Sequence, residues 1–229
     1  MKLGMYAVPF MLAGIFLVNQ SSTFGATIRN YRFLGLLMLI AYIIHQFEEH
    51  WIDVFGNYYA FYDFNNSFIL ENLGEPDSLN KPLTRESIFI INTSLVWLVG
   101  FLAILASPKH LFPLIAMASI ILVNGVVHIL AAIATLKYNP GLLTSIVIFI
   151  PIYIWFTRFI LQKHVPVKLI SFGIIWAFLA HVIMVAGLLM ANWYHLISEL
   201  VYFVALIIWS ILPVELFRRT DQSSKLNQT

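Results

Sequence analysis

The sequence contains no cysteine, so it has no disulfide, no thiolate ligand and no cysteine nucleophile, and any metal it holds is bound through nitrogen and oxygen. Charge is almost as scarce. Only 10% of the residues are charged against 60% hydrophobic, whereas a water-soluble domain carries roughly a quarter charged residues. This excludes an ordinary soluble domain and leaves a polytopic helical bundle, whose helices satisfy their own backbone groups inside a bilayer. The net charge of +2 says nothing about nucleic acid, because the basic residues are scattered between the apolar runs, and no nucleic-acid partner is expected. H-E-x-x-H, its inverted form H-x-x-E-H, G-x-S-x-G, a phosphate loop, a dinucleotide fingerprint and desaturase-like histidine clusters are all missing as well.

What is present is a series of apolar runs close to bilayer length: Leu3 to Val18, Phe33 to Asp53, Ser87 to Ala106, Leu111 to Leu136, Leu142 to Leu161, Leu169 to Met190 and Trp193 to Phe217. The chain therefore reads as all-α, a single transmembrane bundle over residues 1–229 with about seven spans, or about six if the first run is a cleaved signal. A spanning helix fits better, because cleavage near Gly25 or Ala26 leaves Arg29 and Arg32 outside. Pro9, Pro113, Pro151 and Pro213 fall within runs, where neighbouring helices can satisfy the freed backbone. Arg29, Arg32, Lys109, Arg158, Lys163, Lys168, Arg218, Arg219 and Lys225 lie in one set of connections; Lys2, Lys81, Arg85 and Lys137 lie in the other. The positive-inside bias places the N-terminus outside and the short tail at 218–229 in the cytoplasm. The long connection at 54–86 is then external, and its aromatic, Asn and acidic residues read as a lid or an interfacial segment.

One apolar run is interrupted by ionisable groups. In Tyr42-Ile-Ile-His45-Gln-Phe-Glu48-Glu49-His50-Trp51, a helix puts Glu48 and Glu49 one turn beyond His45, flanking its face, with His50 well round the other side. Counting back from the outer ends of the spans gives a shared depth: His45 lies about 12 Å down, His128 about 12 Å and His181 about 14 Å. Glu199 comes out about 9 Å down with His195 one turn above it. Asn92 belongs to the same outer third, and Asn124 shares the face of His128 with Thr135. Alone, His181 reads equally well as a helix-to-helix hydrogen bond, and His195 as an interfacial residue beside Trp193 and Tyr194. Glu199 is harder to set aside, since a buried carboxylate without a partner is costly. His50, His110, His164 and Asp53 are assigned to the interface.

The stretch His45-Gln46-Phe47-Glu48-Glu49 fits H-x-x-E-E, and Tyr138-Asn139-Pro140-Gly141 supplies Tyr-x-Pro-Gly, with His128 ten residues before it. In these marks, from about Phe33 to Leu161, the chain resembles the HXXEE family of bacterial membrane proteins. The resemblance implies a bacterial plasma membrane and points to His128 as the family's further histidine; it implies no particular chemistry. Physically, Tyr138-Asn139-Pro140-Gly141 is a turn, with Pro140 favoured at its second position and Gly141 at its third. It fixes the exit of the helix bearing His128.

These residues predict a metal-dependent, hydrolase-like membrane enzyme acting on a lipid or other apolar substrate. His45, Glu49, His128 and His181 are the candidate ligands of a divalent ion, zinc first, with iron or manganese if several carboxylates bind. Glu48, Glu49 and Glu199 are the candidate catalytic carboxylates; Asn124, His195, Tyr138, Pro140 and Gly141 support them. One alternative is a proton- or cation-coupled transporter or sensor using the same His and Glu residues. Another is a metal-free isoprenoid cyclase or isomerase, in which Glu48 or Glu199 protonates a double bond.

Overall fold

The computed structural model describes residues 2–19, 31–74, 81–106 and 110–226. Gly25, Ala26, Arg29, Lys109 and the acids Glu75 and Asp77 of the long connection lie outside the described residues. The described chain forms helices α1 (Lys2–Asn19), α2 (Tyr31–His50), α3 (Ala60–Leu73), α4 (Arg85–Ala106), α5 (Phe112–Thr135), α6 (Leu142–Leu161), α7 (Val167–Trp193) and α8 (Glu199–Leu226). Among the described residues the one extended pairing is an isolated bridge between Ile52 and Tyr58. Four helices, α4, α5, α6 and α7, are long and apolar enough to cross a membrane, and the protein is a membrane protein built from helices.

Helix α5 is the axis of the bundle. Its residues from Phe112 to Ile121 are all buried, and α2, α4, α6, α7 and α8 pack around it. Helices α2 and α4 cross closely because both are small at the crossing. A Cβ on Gly100 would lie 2.9 Å from Leu39 Cδ1, and one on Gly35 would lie 3.0 Å from Ile104 Cγ1. In a bilayer, where lipid tails are as apolar as the side chains they replace, such close contact is a main source of helix association.

Local chemistry explains most boundaries. Helix α4 starts with a capping box, Thr84 Oγ1 accepting from Ser87 N at 3.0 Å and Ser87 Oγ from Thr84 N at 2.9 Å, so orphan amide groups are satisfied on entry. Helix α6 widens into π-helical turns at Ser145–Phe149, just before Pro151; proline has no N–H to donate and its ring crowds the carbonyl four residues back, so the wider turn absorbs the defect. Helix α4 widens likewise at Asn92–Leu98 and α7 at Leu189–Trp193.

Three expectations are corrected. The second run ends as a helix at His50 and turns back through residues 51–59, where the Asp53 carboxylate accepts the amides of Phe55 (2.9 Å) and Asn57 (2.8 Å). Burial opposes ionisation of Asp53, but these bonds outweigh it and hold the carboxyl below its usual range. The connection at 54–86 is not all loop, since α3 occupies its middle, clasped by Asn66, whose side chain donates to Leu83 O at 3.0 Å and accepts from Leu83 N at 2.9 Å. Trp193 does not open the last helix. It closes α7, and α8 begins at Glu199 after a connector in which His195 has φ 52°.

Candidate metal centre

Helix α2 brings His45 and Glu49 to one face four residues apart, and α5 brings His128 against them. His45 Nε2 lies 3.4 Å and His128 Nε2 3.2 Å from the same oxygen, Glu49 Oε1. The three residues are 0%, 5% and 6% exposed for His45, His128 and Glu49, and one ligand atom from each lies within 4.8 Å of the others.

Hydrogen-bond partners fix which atoms face one another. Asn139 Nδ2 donates to the His128 carbonyl at 2.8 Å, so its Oδ1 is the atom facing His128 Nδ1 at 2.6 Å. An amide oxygen only accepts, hence Nδ1 carries a proton, and in the neutral ring Nε2 presents a lone pair to Glu49. The Thr144 hydroxyl donates to Glu48 Oε2 and faces His45 Nδ1 at 2.7 Å. With its proton committed to the carboxylate, the Thr144 oxygen accepts from His45 Nδ1, and His45 Nε2 presents a lone pair as well. Asn124 Nδ2 reaches that nitrogen at 3.0 Å. With both imidazoles neutral, two ring nitrogens and a carboxylate oxygen thus converge with no proton between any two of them. That arrangement suits a cation.

The two glutamates of the motif do different work. Glu48 accepts from Tyr138 Oη (2.7 Å), Leu143 N (3.1 Å), Thr144 N (2.8 Å) and the Thr144 hydroxyl. It therefore caps the start of α6, where unpaired N–H groups and the helix dipole favour an anion, and through Thr144 it orients His45. Burial and the bond to Glu48 push the Tyr138 phenol well above its ordinary pKa, keeping it a donor. Pro140 and Gly141 are buried in the turn below. Gly141 has φ 100°, and a Cβ there would sit 2.6 Å from His128 Cε1 and 2.7 Å from His45 Cε1. Glycine is required twice over, for the backbone and for the space between two imidazoles.

A residue that sequence reasoning assigned to the interface belongs to the centre. His50 is buried, and its Nε2 lies 3.4 Å from Glu49 Oε2 and 3.3 Å from Asn92 Nδ2. Trp97 Nε1, a donor only, gives its proton to Gln46 Oε1 at 3.0 Å; Gln46 Nε2 then donates to Asn92 Oδ1, which turns the Asn92 amide nitrogen toward His50. The signal available in the sequence was Asn92 at the shared depth and a glutamine inside the motif. Angular position alone hid His50, because a long side chain reaches round the helix.

The other candidates lie elsewhere. His181 donates from Nδ1 to Ala177 O of its own helix at 2.8 Å and lines, with Glu49, His50, Asn92 and Asn124, a cavity of about 380 Å³ beside the centre. It borders the site without joining the three-residue group. Glu199 and His195 are exposed and line a separate recess with Lys81 and Arg85. The depth assigned to them required a helix running from Trp193; as the first residue of α8, Glu199 has no depth to count.

No curated protein and no solved structure matches the chain. The model of one family, described as a protein of unknown function with HXXEE motif, matches residues 36–156, just over half of the chain, and takes in His45, Glu48, Glu49, His128 and the Tyr138 to Gly141 turn. The chain belongs to the HXXEE family.

Proposed function

We propose that the protein is a metal-dependent membrane enzyme of hydrolase type, with His45, Glu49 and His128 holding a divalent ion. The observation that carries the reading is the convergence of His45 Nε2, His128 Nε2 and Glu49 Oε1, with the Nδ1 partners of both imidazoles leaving Nε2 of the neutral ring as the lone-pair atom. Two imidazoles and one carboxylate suit zinc first, then iron or manganese. Such an ion supplies Lewis acidity for activating water or polarising a carbonyl. The chain's own residues supply the rest: Glu48, Thr144 and Asn139 orient the two imidazoles, and the apolar walls of the adjoining cavity exclude bulk water. A polar group entering from that cavity meets Glu49, His50 and Asn124. The substrate is accordingly a lipid or another apolar molecule with one polar bond. About seven spans, the N-terminus outside and the C-terminus in the cytoplasm complete the reading on the positive-inside bias.

Metal analysis of the purified full chain in lipid nanodiscs, with and without the double change His45→Ala and His128→Ala, tests it. Stoichiometric metal in the unaltered protein and its loss in the double variant are expected. Metal-free protein that carries out pH-gated ion flux in liposomes would replace the enzyme with a transporter.

A further inference from the structure

The cavity beside the centre is unequal in its chemistry. Glu49, His50, Asn92 and Asn124 gather its polar atoms at one end, Glu49 to His50 at 3.4 Å and His50 to Asn92 at 3.3 Å, with Asn124 reaching His45, while His181 stands apart with its Nδ1 bonded to Ala177 O at 2.8 Å. Elsewhere its walls are chiefly hydrocarbon, including Phe61, Phe68, Ile91, Leu95, Met184 and Leu188. Asn65, also on the wall, already donates to the Phe61 carbonyl of its own helix at 2.9 Å. At about 30 Å³ for a group the size of a water molecule or a methylene, 380 Å³ holds on the order of a dozen carbon atoms. That is one chain, not two.

The mouth is marked by wall residues that are also exposed: Phe68 at 41%, Leu73 at 52% and Val185 at 48%. All are apolar. Val185 lies eight residues before the end of α7, about 12 Å along the axis and so at the depth of lipid tails. The inner end is closed by the first turn of α3, where Phe61 packs against His50 with ring centroids 5.2 Å apart and against His128 at 6.1 Å.

We propose that this cavity takes one acyl chain of a membrane lipid, entering sideways from the bilayer between α3 and α7, with the carbonyl at the chain's polar end brought to Glu49, His50 and Asn124. The proposal rests on the metal reading for the reaction and stands without it for the binding of the chain.

The probe is a palmitic acid analogue carrying a diazirine midway along its chain, photolysed with the full-length protein in phosphatidylcholine nanodiscs, with cross-links mapped by peptide mass spectrometry and metal measured in the same samples. Labelling of residues in 61–73 and 184–188 is expected to saturate, to be displaced by excess unlabelled palmitate, and to fall at least tenfold in Ala180→Leu and in Met184→Trp, which fill the cavity from different positions, with bound metal unchanged. Labelling confined to outward-facing residues such as Ile146 and Phe178, or cavity labelling indifferent to competitor and to both substitutions, overturns the proposal. Saturable labelling of a protein that holds no metal keeps the chain site and removes the metal centre; metal without saturable labelling does the reverse.

Discussion

Substituting Gly141 by alanine tests the architecture of the centre with a single methyl group. The added Cβ would lie 2.6 Å from His128 Cε1 and 2.7 Å from His45 Cε1, whereas carbon atoms rest at about 3.5–4.0 Å. Each imidazole must therefore retreat by roughly 1 Å, or the turn must move. Neither retreat is free, because His45 is held at Nδ1 by Thr144 and His128 by Asn139. Constellations of this kind tolerate about 0.5 Å of misplacement, and loss of a single orienting partner typically costs about 10- to 100-fold in metal affinity; displacing both imidazoles should cost at least about 100-fold. The φ of 100° adds backbone strain of about 1–2 kcal/mol. Competition with a chelator of known affinity measures the first effect and thermal unfolding the second. A folded Gly141→Ala protein whose metal affinity is unchanged would refute the reasoning, because the two rings could then not be fixed where their hydrogen bonds place them.

The remaining predictions separate residues that look alike in the sequence. Glu49→Gln should abolish metal binding, whereas Glu48→Gln should leave metal bound about 10- to 100-fold more weakly and lower the melting temperature, since it removes the anion that caps α6; equal effects of the two changes in a chelator titration contradict the division of labour. Thr144→Val should weaken metal by about the same 10- to 100-fold with Thr144→Ser restoring it, because only the hydroxyl joins Glu48 to His45; failure of serine to rescue would point to packing instead. Trp97→Phe leaves Gln46 Oε1 without its donor at a cost of about 1–3 kcal/mol, read as reduced thermal stability with metal stoichiometry intact. Glu199→Gln should change neither metal content nor turnover, since Glu199 lies in the separate recess; a large loss of activity would reinstate it.

What the sequence revealed and what it hid follow from one distinction. Counting depth along a helix works wherever the helix runs unbroken from the end counted. His128 in α5 satisfies that condition, and His45 misses it only by the three residues between His50, where α2 ends, and Asp53, so both still reach Glu49 Oε1. Glu199 does not, because Trp193 closes the wide final turns of α7 and residues 194–198 break the register. The family marks fall on the same logic. The turn at Tyr138 to Gly141 was legible as a turn, but its reason for being there was not, since the contacts of Tyr138 with Glu48 and of Gly141 with two imidazoles join positions about a hundred residues apart or fewer. Helix α3 escaped notice because it is short and mixed on the face that meets the cavity, its place being held by two bonds from Asn66 to the Leu83 backbone. His50 was hidden for the opposite reason: its helical angle points away from His45, but Trp97, Gln46 and Asn92 bring a donor to its ring, and that chain of amides is visible only once α2 and α4 are seen side by side. The liganding face could thus be read from periodicity, whereas the groups that orient it lie across helix interfaces, where a linear sequence carries no register.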